Sequence, residues 1–182
     1  YVVKNQNTKK LAYAALFLAL CLVLPMLTGQ IPQIGSMLLP MHIPVLLCGL
    51  VCGWQYGAAV GFVAPLLRSV LFGMPPMYPV AIAMAFELLT YGLVIGLVYR
   101  RMAQKGAAGV YAALLTAMVA GRLVWGVAEV VLLGLGGKAF TAQAFLAGAL
   151  LNAVPGIIVQ LVLIPAVMAA LQKAGAVKEY AE

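Results

Sequence analysis

The stretch VAIAMAFELLTYGLVIGLVYRR, residues 80–101, decides the fold. Val80 to Tyr99 contains a single charge, Glu87, and ends on the pair Arg100 and Arg101. About 20 mostly apolar residues are what an α-helix needs to cross the hydrocarbon core of a bilayer. A basic pair at the end of such a run marks its cytoplasmic side. The pattern repeats outward in both directions, with apolar runs at 11–28, 41–53, 57–72, 108–135 and 142–171. Together they predict an all-α membrane protein, one integral domain over 1–182, with six transmembrane helices.

Composition points the same way. Of the 182 residues, 65% are hydrophobic and 8% charged, against about 25% charged in an ordinary soluble domain. Mean hydropathy is +1.10. Eleven basic and four acidic residues cannot cover a soluble globule of this size. A soluble enzyme and a disordered tail are excluded. So is nucleic acid as a partner: the formal charge is +7, but the basic residues flank apolar runs and form no basic face. Six spans leave no room within these 182 residues for a soluble ATPase domain, so any ATPase is expected on another chain.

The first run follows a polar segment containing Lys4, Lys9 and Lys10. It is basic and then apolar, like a signal peptide. No small-x-small site follows it and more spans come after, so it reads as a retained helix interrupted by Pro25. Gly29 to Pro40 reads as a loop or re-entrant stretch, and Trp54, Gln55 and Tyr56 as a short aromatic link between the second and third runs. The prolines of Gly73–Pro79 break any helix. With the N-terminus inside and six crossings, Lys4, Lys9, Lys10, Arg100, Arg101, Lys105, Lys173 and Lys178 fall inside and only Lys138 outside. Both termini are therefore expected in the cytoplasm. The second run is short, but omitting it would place Arg100 and Arg101 outside, against the charge rule.

Arg68, Glu87, Arg122 and Glu129 lie within apolar runs. A charge at mid-bilayer costs at least about 2.5–3.5 kcal/mol, so such residues pair with one another or line a polar cavity. Arg122 and Glu129 share one face of the fifth helix, two turns apart. Arg68 is close enough to the proline-rich outer loop to snorkel. His42 opens the second run on the outer side. Asn152 and Gln160 fall on roughly one face of the sixth. The candidate substrate-binding set is His42, Arg68, Tyr78, Glu87, Arg122, Trp125, Glu129 and Asn152. Arg122 is the first choice for an anionic group, because guanidinium pairs a carboxylate bidentately.

Gly49, Gly53, Gly57 and Gly61 recur every fourth position, and Gly92 and Gly96 form a GxxxG. Such small residues let helices approach closely. Ala15 and Ala19 form a similar pair on the first helix, able to receive a neighbouring helix or another subunit. Cys21, Cys48 and Cys52 fall within apolar runs and indicate no disulfide framework, and Cys48 and Cys52 lack nearby metal co-ligands. The chain contains no Asp, no HExxH, no GxSxG and no GxxxxGK[ST]. No catalytic, metal or cofactor site is expected.

Several stretches together resemble the substrate-binding S components of energy-coupling factor (ECF) transporters. They are Met41–Leu47 with Gly49 and Gly53, Gly73–Pro79 followed by Ala85–Gly92, Ala120–Arg122, and Asn152–Gln160. The resemblance extends from about Leu11 to Leu171. It implies six helices, cytoplasmic termini in a bacterial plasma membrane, and a vitamin-type micronutrient held near the outer face. It also implies partners, namely a membrane scaffold protein and two ATPase subunits. The family's alanine motif, which contacts the scaffold, is matched by Ala15 and Ala19, with Ala12 or Ala14 as additions. The buried arginines favour a carboxylate ligand such as pantothenate, lipoate or biotin, with pantothenate preferred. A pyridoxine-like or deazapurine-like ligand would instead use Glu87 or Glu129 with stacking on Trp125 or Tyr78. The competing readings are a stand-alone proton-coupled secondary transporter using Glu87 or Glu129, and a membrane enzyme using His42.

Overall fold

The computed structural model describes residues 2–28 and 31–177, so Lys178 of the charge count lies outside the described residues. Every described element is helical. Helix α1, Val2–Val23, tightens into a 3-10 turn at Leu24–Thr28, where Pro25 lacks the N–H that an α-helix would use. A short α2, Pro32–Leu38, forms inside the stretch expected to be a loop. Next come α3, His42–Cys52, and α4, Trp54–Phe72. A wide turn at Met77–Ala81 leads into α5, Ile82–Met102. Helix α6 is Ala107–Leu135. The last apolar run divides into α7, Ala142–Leu146, a wide turn at Ala147–Leu151, and α8, Val154–Lys173.

Among the described residues, five helical stretches are long and apolar enough to cross a membrane: Gln6–Leu27, Trp54–Phe72, Met77–Lys105, Ala107–Leu135 and Ala142–Lys173. Their outer surfaces suit lipid. Along α6 the exposed Leu115, Val119, Leu123, Val127 and Val131 make one apolar face, which water would not tolerate at this size. The second expected span is different. Helix α3 has 11 residues, only about 16 Å at 1.5 Å per residue. Nine of its 11 residues are buried, among α1, α4, α5 and α8. The expected aromatic link is also shorter than the sequence suggests. Trp54 already begins α4, and the chain reverses on Gly53 alone, at φ +97°, a backbone region that residues with a Cβ avoid.

The glycine repeat explains how α3, α4 and α5 pack. A Cβ on Gly92 would lie 2.1 Å from the Gly57 carbonyl oxygen, and one on Gly61 would lie 2.2 Å from that of Leu88. A Cβ on Gly49 would lie 2.8 Å from the Gly92 oxygen. Backbones of three helices therefore touch, and no side chain can yield to make room. Gly92→Val is expected to destabilise the protein by about 3 kcal/mol or prevent folding, the upper end of overpacking costs. Thermal unfolding in detergent tests this beside Gly134→Ala, since nothing lies within 4 Å of that Cβ position. Equal melting temperatures for Gly92→Val and the parent would contradict the close contact.

Helix ends sort by charge. The Gln172 side-chain amide donates to the Tyr99 hydroxyl, 3.3 Å, bringing the end of α8 beside the end of α5. Gly96 packs against Trp54 at the start of α4. Arg100, Arg101, Lys105 and Lys173 are all exposed near this end. At the opposite end, the Tyr78 hydroxyl donates to the Leu132 carbonyl, close to the turn that carries the exposed Lys138.

Candidate functional site

The end of the bundle away from the basic cluster opens into a cavity of about 590 Å³. Its depth follows from the shortness of α3. The Cys21 thiol, near the end of α1, donates to the Met41 carbonyl at 3.7 Å. Helix α3 therefore begins part-way down the bundle, with Pro25, Ile31, Gln33, Leu39 and Pro40 lining the space above it. Backbone that is not continuous helix is tolerated at membrane depth where it lines a cavity.

Three side chains from three helices meet in the wall. His42 opens α3, Glu87 lies on α5 and Arg122 on α6. His42 Nε2 lies 3.2 Å from Glu87 Oε1, and Arg122 Nη1 lies 3.0 Å from the same oxygen. With the ring proton on Nε2, His42 donates to this carboxylate oxygen. The side chains of His42 and Glu87 are 1% and 2% exposed. Burial of this kind requires both charge pairing and hydrogen bonding. Tyr91, one turn beyond Glu87, presents its ring edge-on to His42 at 5.1 Å. Gly121 leaves room for the Tyr91 ring, which a Cβ there would meet at 2.7 Å.

Glu87 uses only part of Arg122. The Nε and Nη2 atoms of Arg122 are buried and have no hydrogen-bond partner among the described residues, nor has His42 Nδ1. Nε and Nη2 form one edge of the guanidinium plane, two parallel donors in the spacing that a carboxylate or similar planar acceptor fits. Arg122 also packs over Trp125, 5.8 Å to the ring centroid. Trp125 is held by a stacked Phe145 at 6.1 Å and an edge-on Phe140 at 5.7 Å. Gly148 fits beneath it, because a Cβ there would lie 2.6 Å from the indole.

His42, Arg68, Glu87, Arg122, Trp125, Glu129 and Asn152 all line this cavity. Arg122 pairs with Glu87 across to α5, not with Glu129 on its own helix. Arg68 does not snorkel. It is 2% exposed, donates to the Leu22 carbonyl at the end of α1, and packs over Phe72. The carbonyls of the last helical turn lack intrahelical donors, and Arg68 supplies one. Tyr78 does not line the cavity. Its ring is half exposed and its hydroxyl is engaged by Leu132. Asn152 is exposed where α8 breaks from the preceding turn, whereas Gln160 is buried away from the cavity.

Gln33, Met84 and Gly148 also line the cavity and were not legible as site residues. Met84 lies three residues before Glu87 on α5, and that spacing was the available signal. Gln33 and Gly148 belong to short helical pieces that hydropathy does not resolve. On α1, Ala12, Ala15 and Ala19 are exposed, whereas Ala14 is buried in the core.

The family described as "ECF transporter, substrate-specific component" matches residues 9–169. No curated protein and no solved structure matches the chain. The family match takes in three of the five long apolar stretches whole, most of the first and last, and every charged residue of the cavity. The chain belongs to the substrate-specific components of ECF transporters, the multi-pass membrane subunits that bind the transported substrate and associate with scaffold and ATPase subunits.

Proposed function

We propose that this protein captures a vitamin or related micronutrient at the outer face of a bacterial plasma membrane, for import driven by ATP hydrolysis on partner subunits. The observation behind this reading is Arg122, which lines a cavity of about 590 Å³ and whose buried Nε and Nη2 have no hydrogen-bond partner among the described residues. That volume lies within the range of small-molecule sites, and the lining is mostly apolar with a few fixed polar groups, as such sites are. A carboxylate is the chemical group favoured for this edge, with pantothenate the preferred substrate. Native mass spectrometry of the detergent-purified protein, after incubation with a mixture of water-soluble vitamins, tests it. Retention of one carboxylate-bearing compound is expected. A folded sample that retains only compounds without a carboxylate would overturn the assignment to Arg122.

Six crossings with both termini in the cytoplasm accord with the charge distribution. Helix α3 and the segment before it would together make the second crossing. The end bearing Arg100, Arg101, Lys105 and Lys173 would face the cytoplasm, which sets the cavity toward the outside. The Ala12, Ala15 and Ala19 stripe is exposed and offers a close-packing surface for the membrane scaffold, small residues being favoured where helices associate.

Ala15→Trp and Ala19→Trp are each expected to reduce ATP-driven uptake to background while leaving the affinity of the isolated subunit within twofold. Uptake in cells containing the scaffold and ATPases, beside calorimetric titration of the purified subunit, makes the comparison. Normal uptake by both variants would contradict docking through this face. Uptake that needs an ion gradient and no ATPase would favour the stand-alone proton-coupled carrier.

A further inference from the structure

The charged groups of the cavity wall that internal pairing leaves incompletely satisfied occupy two levels. Arg122 gives Nη1 to Glu87 and keeps Nε and Nη2. Glu129 lines the same cavity and is 7% exposed. It has no hydrogen bond and no ion pair among the described residues. Residues 122, 125 and 129 are spaced by three and then four positions along α6, so they form one stripe on the cavity side. The seven residues from Arg122 to Glu129 span about 10 Å along the axis, at 1.5 Å per residue. Between the two levels stands Trp125, its ring immobilised by Phe145 and Phe140.

Charge accounting separates the levels further. The four charges that line the cavity are Arg68, Glu87, Arg122 and Glu129. Glu87 is neutralised by Arg122, and Arg68 is directed to the Leu22 carbonyl. Arg68 and Glu129 both lack an ion pair among the described residues, but Arg68 has the Leu22 carbonyl whereas Glu129 has no hydrogen bond there. A carboxylate in the wall of a mostly apolar cavity is stabilised by a donor that reaches it. A ligand that supplied only an acceptor would satisfy Arg122 and leave Glu129 as it is.

We infer that the substrate is a two-ended molecule. One end is a carboxylate, or an equivalent planar acceptor, for the Nε and Nη2 edge of Arg122. The other end is a hydrogen-bond donor, a hydroxyl or N–H, set about 10 Å away for Glu129, by the helical rise between the two residues. An apolar or flat middle section packs on Trp125. This inference rests on the reading of Arg122 as the anchor for a carboxylate.

Three probes separate the two ideas: lipoate, pantothenate and biotin. All carry a carboxylate. The far end is an apolar dithiolane in lipoate, a pair of hydroxyls in pantothenate, and a ureido group with N–H donors in biotin. Binding to the purified subunit is measured by calorimetry, with native mass spectrometry confirming stoichiometry. Pantothenate or biotin is expected to bind at least tenfold more tightly than lipoate. Glu129→Ala is expected to reduce the affinity of that donor-ended probe at least tenfold more than it reduces the affinity of lipoate. Arg122→Lys should weaken all three alike.

Lipoate binding as tightly as the better of the other two would overturn the two-ended substrate. An equal loss for every probe in Glu129→Ala would do the same, and either result would leave carboxylate capture standing. Failure of Arg122→Lys to weaken any probe would remove the carboxylate anchor itself. Binding of none of the three, by protein that still unfolds cooperatively, would overturn both.

Discussion

Glu87→Ala is expected to lower stability by about 3–5 kcal/mol, the cost of isolating a buried charge by deleting its partner. The physical reason is geometric. One carboxylate oxygen serves both His42 and Arg122, at 3.2 and 3.0 Å. Its removal leaves a guanidinium, 12% exposed, without its counter-charge, and His42 Nε2 without its acceptor. Two further nitrogens of Arg122 are already without partners, so the residue has little to fall back on. Thermal unfolding in detergent, followed by tryptophan fluorescence, measures the loss. Replacing both members, Glu87→Met with Arg122→Met, should recover most of the stability, because a buried ion pair exchanged for apolar side chains of similar volume is often neutral. A melting temperature for Glu87→Ala equal to that of the parent would show that water reaches Arg122 freely.

The second large effect is on ligand affinity. Arg122→Lys keeps a positive charge beside Glu87 and is expected to fold. It cannot present two parallel donors, because an ammonium is a point charge on a flexible stem. Affinity for a carboxylate ligand is expected to fall at least tenfold, about 1.4 kcal/mol. Arg122→Ala should lose at least as much affinity and also lose stability, since Glu87 then keeps only His42. The pair of variants therefore separates recognition from folding. Calorimetric titration of the folded variants against the retained compound gives the answer. Unchanged affinity in both would remove Arg122 from the site.

The glycine stripe and the charged residues show how differently two kinds of signal translate into structure. Gly49, Gly57, Gly61 and Gly92 were legible as a packing face because small residues at four-residue spacing have one obvious use. The structure adds which backbones they admit. The charged residues were legible as costly, and hence as paired or cavity-lining, but not as partners of particular residues. Spacing along α6 put Arg122 and Glu129 on one face and left the pairing open; the pair formed is Arg122 with Glu87. Spacing near a loop suggested an outward Arg68, yet that side chain satisfies a carbonyl at the end of α1. Tyr78 shared the loop region with true lining residues and still turned its hydroxyl to Leu132.

The sequence by itself determined the class of protein, the run boundaries to within a few residues for most helices, and the charged residues of the cavity. All of these follow from local properties: hydropathy over about 20 residues, proline and glycine punctuation, and the cost of a charge in hydrocarbon. Only the tertiary structure decided who pairs with whom and how deep the cavity reaches. Those depend on the rotation and depth of each helix, which the backbone contacts among α3, α4 and α5 set. His42 becomes a cavity residue because α3 is short and begins below the surface, a length that hydropathy alone read as a weak span.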